Sequence, residues 1–428
     1  MGENKGGGSS PARPVGGEAP LSARPPTPTR PHKGGGSASA ARPVDVTHRQ
    51  SALAGIRVLE LARVLAGPTT GQTLADLGAD VIKVESPEGD ETRRWGPPFI
   101  DTEGEQAAAY FHSCNRGKRS IVADFATERG REIVRRLAAR SDVLIENFKV
   151  GGLMKFGLDY ESLSRLNSRL VYCSVTGFGQ TGPYAKRAGY DFLIQGMSGI
   201  MSITGEPDGS PQKAGVAISD LFTGLYGVIA IEAALIARER SGRGQHIDLA
   251  LFDSMTTMLA NQAMNYLASG KSPKRMGNAH VNLAPYQTLP VADGWLIVAV
   301  GNDGQFARLC GVLGLESLAK DLRFASNPGR VVNRVEMESA LKAKTVLWKR
   351  DDLLAAFEAA VVPAGPINTI ADLFADPQFK ARAMRIEPQG TSGVRSPILM
   401  SESPLKLDRR SPKLGEHTAE ILREIGLE

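Results

Sequence analysis

Asp220 stands directly after Ala214-Gly215-Val216-Ala217-Ile218-Ser219 and directly before a long apolar stretch. By position it is an N-cap candidate. The same place would suit a nucleophile, because the dipole and free N–H groups of a helix start favour an ionised carboxylate. The chain holds 46 acidic residues, so spacing alone does not choose between the two. Tyr190-Asp191 has a similar ambiguity, a core tyrosine and a turn aspartate being the plain alternative. Gly177-Phe178-Gly179-Gln180-Thr181-Gly182 matches G-x-G-x-x-G. A dinucleotide loop also needs a helix opening at the last glycines and an acid about 20 residues on. Pro183 follows instead, so the segment reads as a tight loop that lets a ligand approach, with the cofactor loop as the alternative. Gly301-Asn302-Asp303-Gly304-Gln305 is either a strand-to-helix turn or a mobile lid that excludes water.

Metal and disulfide chemistry find no support. Cys114, Cys173 and Cys310 are far apart and no two of the six histidines are close, which excludes CxxC and HExxH patterns. No metal ligand is therefore assigned. Three scattered cysteines fit a reducing compartment, and a cytoplasmic location is expected.

The elements that must position these residues read as α/β. Ile56–Leu61, Ala79–Val84, Ser120–Phe125, Asp142–Glu146 and Leu170–Val175 are strand-like, with helical stretches between, such as Glu128–Ala139. Such alternation predicts βαβ units and a parallel sheet. Leu221–Arg240 is hydrophobic nearly all round and is expected to be a buried helix. His246–Leu251 is a further strand and Ser254–Leu267 one helix. After a less patterned region, Lys271–Pro290, the strand Trp295–Val300 and three helical stretches suggest a smaller second domain.

At 428 residues and 45.6 kDa the chain has room for two or three cores. The net charge of +5 is misleading. Residues 1–50 hold seven Lys/Arg against three Asp/Glu, and the rest holds 44 against 43. A near-neutral body excludes a nucleic-acid partner, and no uninterrupted apolar run reaches the ~18 to 20 residues of a membrane span. Residues 1–50, with eight Pro and nine Gly, read as a disordered tail. They lack a secretory h-region and the myristoylation pattern. Were the tail a transit peptide, the location would be the mitochondrial matrix.

From Leu53 to the C-terminus the chain resembles the class III CoA-transferase family, of the formyl-CoA transferase and carnitine CoA-transferase type. The resemblance is carried by Leu53–Leu61, Arg63-Val64-Leu65-Ala66-Gly67-Pro68, Leu77–Glu85, Asn115–Ser120, Val143–Phe148, Thr176–Pro183 and Ser241-Gly242-Arg243-Gly244-Gln245. The segments around Tyr190, Pro285-Tyr286-Gln287 and Gly301–Phe306 look most like the succinyl-CoA:glutarate (dicarboxylate) transferases.

That resemblance implies several things. The architecture would be a Rossmann-like large domain (51–250 plus 371–428) with linker helices and a small α+β domain (251–370), interlocked as a homodimer. The partners would be an acyl-CoA, with succinyl-CoA the expected donor, and a small dicarboxylic acid. CoA thioesters would be substrates, with no permanently bound cofactor. Asp220 would carry an aspartyl-CoA thioester, and Gly301, Gly304 and Gln305 would shield it from water. CoA binding would fall on Val64, Leu65, Ala66, Lys83, Glu85, Asn147, Phe148, Lys155 and Tyr190. Arg93, Arg94, Lys118 and Arg119 are further candidates for its phosphates, and Arg275 and His280 for the acceptor carboxylate. The family's racemase branch uses a His-Asp pair where this chain has Tyr190-Asp191. A tyrosine near pKa 10 is a poor substitute for imidazole in moving an α-proton.

Overall fold

The computed structural model describes residues 49–428; the expected disordered tail lies, except for its last two residues, outside them. The strands of the main sheet and its neighbours are β1 Arg57–Glu60, β2 Asp80–Glu85, β3 Phe99–Thr102, β4 Glu105–Ala108, β5 Arg119–Val122, β6 Val143–Glu146, β7 Val171–Thr176 and β8 His246–Ala250. β3 and β4 form a separate antiparallel hairpin. The other six make one sheet in the order β5-β2-β1-β6-β7-β8. Every pairing in it is parallel. This is the doubly wound order, and its direction reverses between β1 and β6.

The period-2 alternation of the strands feeds two cores. Val58, Val81, Val143, Ile145, Val171 and Cys173 point to one face. Leu59, Ile82, Val84, Ile121, Leu144 and Tyr172 point to the other. The helices that cover these faces include α1 Ala66–Asp76, α3 Glu128–Ala138, α4 Tyr160–Leu166, α5 Asp191–Met197, α6 Ile218–Ser241 and α7 Leu251–Met258, while α2 Ala109–Cys114 packs beside α1. The chain end returns to the sheet. Ile421 and Ile425 of the Thr418–Glu424 helix and its end complete the second core, while Glu420 and Glu424 hold Arg119 at 2.8 and 2.6 Å.

α7 is followed at once by α8 Ala260–Ser269. The single helix expected over this stretch is broken because Ala260 takes a positive φ of 42°. A third core lies around the antiparallel strands β9 Tyr286–Val291, β10 Gly294–Ala299 and β11 Ala364–Pro366. Helix α9, Asp303–Val312, supplies Phe306 and Leu309 to it.

The expectation that the long apolar helix is buried holds for one side only. α6 packs Gly224, Gly227, Val228, Ile231 and Leu235 inward, but Leu225, Ile229 and Ile236 are 48, 60 and 64% exposed. Nothing else in the described chain covers that outer stripe. By length and composition α6 could also cross a bilayer, with a mean hydropathy of 1.6 over its most apolar window.

Candidate active site

In an open parallel sheet the loops leaving neighbouring strands part where the order reverses, and ligands bind in the crevice at the strands' carboxyl ends. A cleft of about 620 Å³ lies there. Its walls are the segments after β1 (Arg63–Ala66), after β6 (Asn147–Val150) and after β7 (Val175–Gly177), closed by Ala185–Tyr190 and Asp220. Val64, Leu65, Ala66, Phe148, Phe156 and Val175 give it apolar surface, and Arg63, Lys149, Lys155 and Arg187 bring cations.

Asp220 reaches the cleft because α6 crosses α1 at close range, with glycines of α6 at the contact. Gly224 and Gly227 of α6 lie against α1 so closely that an added Cβ would meet Ala66 O at 2.8 Å and Thr70 Oγ1 at 2.7 Å. Thr70 Oγ1 donates to Gly224 O at 2.9 Å. Asp220 is the third residue of α6.

The two candidate carboxylates have opposite surroundings. Asp191 Oδ1 accepts from Ser219 N (2.9 Å) and Ser219 Oγ (2.6 Å), and its Oδ2 accepts from Gln195 Nε2 (2.8 Å). It caps α6 from a neighbouring helix, a role that Ala217, the residue before α6, cannot fill. Asp220 makes no side-chain hydrogen bond among the described residues and faces the cleft. Burial, and then the Asp191 charge, pushes its carboxyl up to about 7. The helix start therefore does not keep it as acidic as its position suggests; desolvation outweighs the dipole. The nearby Tyr110 hydroxyl is pushed up to about 12 by burial and by the same Asp220 charge.

Of the residues expected at the site, Val64, Leu65, Ala66, Asn147, Phe148, Lys155, Tyr190 and Asp220 line this one cleft. Lys83 and Glu85 do not: both are buried behind it. Lys83 pairs with Glu60 at 3.1 Å and Asp90 at 3.0 Å, and Glu85 pairs with Arg93 at 2.7 Å. Burial works against the Lys83 ammonium, but Asp90 and Glu60 raise its pKa nonetheless. Burial likewise opposes the Asp90 carboxylate, yet Lys83 and the Thr92 donors hold it down to about 2. The Lys83 and Glu85 side chains thus stand behind the cleft rather than on its wall.

Arg93, Lys118 and Arg119 are also spent on internal ion pairs, and Arg94 is exposed away from the cleft wall. Gly301, Gly304 and Gln305 form the turn from β10 into α9, where Gln305 Oε1 accepts from Gly301 N at 2.7 Å. They do not line the cleft, nor do Arg275 and His280. The sequence reading missed Arg63, Lys149 and Arg187 as cleft residues, because a surface cation carries no local signal until the loops are placed. The G-x-G-x-x-G segment opens no helix. Its Gly177 backbone lies against Gly189, so near that a Cβ would meet Gly189 Cα at 2.5 Å.

Sheet order, crossing and cleft define a doubly wound α/β protein with a carboxylate in a crevice that Arg63, Lys149, Lys155 and Arg187 also line. Residues 53–418 match the profile of CoA-transferase family III, and the chain belongs to that family. It is 60% identical over 389 residues to the succinate–glutarate CoA-transferase of Agrobacterium fabrum, covering 89% of this chain and 97% of that protein. It is 41% identical over 390 residues to the succinyl-CoA:glutarate CoA-transferase of Homo sapiens, covering 90 and 88%. Among solved structures, a CAIB/BAIF family protein from Brucella suis superposes with a TM-score of 0.81 at 68% identity, covering 88% of this chain and all of that one.

Proposed function

We propose that the protein moves CoA from succinyl-CoA to a small dicarboxylic acid, with glutarate the first acceptor to test, through covalent intermediates on Asp220. The observation that carries this reading is the Asp220 carboxylate on the wall of the switch-point cleft, without a hydrogen-bond partner among the described residues, while Asp191 beside it accepts three hydrogen bonds. The printed activities of the relatives support the substrate class.

The steps balance without a net proton. Asp220 attacks the donor thioester carbonyl, the C–S bond breaks, and CoA thiolate leaves an acyl-aspartyl anhydride. The thiolate attacks the Asp220 carbonyl and expels the donor carboxylate, leaving an aspartyl-CoA thioester. The acceptor carboxylate then displaces the thiolate as a second anhydride. Thiolate attacks the acceptor acyl carbon and returns Asp220 as a carboxylate. Water would hydrolyse each intermediate, so closure of the Gly301–Gln305 turn over the cleft is part of the proposal.

The second copy needed for an interlocked homodimer would cover the outer stripe of α6 and the exposed Met264, Tyr266 and Leu267 of α8, which one chain leaves open. Mass spectrometry after incubation with succinyl-CoA and hydroxylamine should find the modification on Asp220 and leave Asp191 untouched. An adduct elsewhere, or transfer by Asp220→Ala at the wild-type rate, would overturn the reading.

A further inference from the structure

The turn that leaves β1 has a feature that cleft lining does not require. Val64 adopts φ 70°. For a β-branched residue this is a true outlier, which persists only where the surroundings over-determine it. Here they do so through side chains alone. Ala62 O accepts from Lys83 Nζ at 2.8 Å. Arg63 N donates to Asn147 Oδ1 at 2.9 Å, and Arg63 O accepts from Asn147 Nδ2 at 2.7 Å. Val64 N points at both Asp90 oxygens, 3.3 and 3.4 Å away, and Val64 O accepts from Cys114 Sγ at 3.5 Å. Five successive backbone groups are thus met by four side chains from other elements.

Asp90 is itself fixed by Lys83 Nζ (3.0 Å), Thr92 N (3.0 Å) and Thr92 Oγ1 (2.8 Å). Lys83 also meets Glu60, which in turn takes Lys118 at 2.8 Å, so two ammonium groups and two carboxylates share one dry cluster. Buried charge is weak support for stability as such, and apolar residues of similar size would serve a core as well. What this cluster supplies at the switch point is a fixed backbone.

We propose that Asp90 and Lys83 are positioning residues: through the cluster they hold the Ala62–Val64 turn in its strained form, so that Val64, Leu65 and Ala66 present a ready-made wall to the ligand. That the ligand is a CoA thioester rests on the function proposed above. The clamp itself does not.

The test has two arms. In the unliganded full chain, hydrogen exchange of the peptide spanning residues 61–66 should quicken about tenfold in Asp90→Ala. In the second arm, Asp90→Ala should raise the KM for succinyl-CoA about tenfold and leave kcat within about twofold, because the clamp acts on binding and not on the reacting atoms. Val64→Gly supplies the rescue, since glycine holds φ 70° without strain. In that background the Asp90→Ala penalty on KM should shrink to less than about threefold. Lys83→Met should behave as Asp90→Ala. Should Asp90→Ala fail to fold, Asp90→Asn keeps the shape and an acceptor and is expected to show the same pattern more weakly.

Unchanged exchange in the Asp90 variants, equal loss of kcat and KM, or full additivity with Val64→Gly would each overturn the clamp. If the wild type neither binds nor turns over succinyl-CoA, the function reading fails, while the exchange arm still decides the clamp.

Discussion

Asp220 and Asp191 are both carboxylates at helix starts, and their neighbours give them opposite tasks. Asp191 spends its lone pairs on Ser219 and Gln195; Asp220 keeps its own for the cleft. The nucleophile must be ionised, and its carboxyl is raised to about 7. The rate of adduct formation in single-turnover experiments should therefore climb as pH rises from about 5.5 and level off above about 8, with an apparent pKa near 7. Asp191→Asn removes one raising cause and should move that midpoint down. Asp220→Asn should bind CoA thioesters yet lose at least about 10³-fold in transfer. The linkage runs the other way for stability. A raised folded pKa makes the stabilising contribution of the protonated group complete below 3.8 and lost as pH rises through about 7. Chemical denaturation across that window should show less decline for Asp220→Asn than for wild type. None of this was legible in spacing, because Asp220 is one of 46 acids. Family resemblance singled it out, and the three-dimensional partners explain why. Lys83 stands between Ile82 and Val84 in β2, where a lysine is buried only if it is paired, but the sequence reading gave it to CoA instead.

At the scale of elements, the seat of the nucleophile is a close helix crossing whose glycines leave no room for a Cβ. Gly71 of α1 has the Glu60 carboxylate where a Cβ would stand, at 1.8 Å, and Gly227 of α6 has Thr70 at 2.7 Å. Gly71→Ala gains helix propensity but must push a buried, doubly paired carboxylate aside. It should lower the unfolding free energy by about 2 kcal/mol, read from denaturant midpoints. The strands β1, β2, β6 and β7 were readable because short apolar runs sit between turn residues. β9 was not, since Gln287, Thr288 and Pro290 interrupt its apolar pattern. The break between α7 and α8 has no glycine or proline to announce it. Only the positive φ of Ala260 makes it, and alanine gives no such warning.

At the scale of the whole molecule, the outer stripe of α6 is the chief feature that one chain leaves unexplained. Hydrophobicity all round a helix was legible as a demand for burial; what meets it on the second side was not, because no described residue of this chain covers that side. With the dimer proposed above, Ile229→Lys should shift sedimentation toward the monomer and reduce transfer activity with it. If the stripe is free in solution, the substitution should change neither.

The helix Thr418–Glu424 closes one face of the main sheet and answers the charge of Arg119 on β5. Glu420 of that helix follows Arg119 by 301 residues in the chain. Until it emerges, the first half of the sheet, hundreds of residues old, waits with Ile121 and Ile133 uncapped. The face is thus closed only once residues 418–424 have been made, and a chain cut just upstream of residue 418 should leave Ile121 and Ile133 uncovered and aggregate.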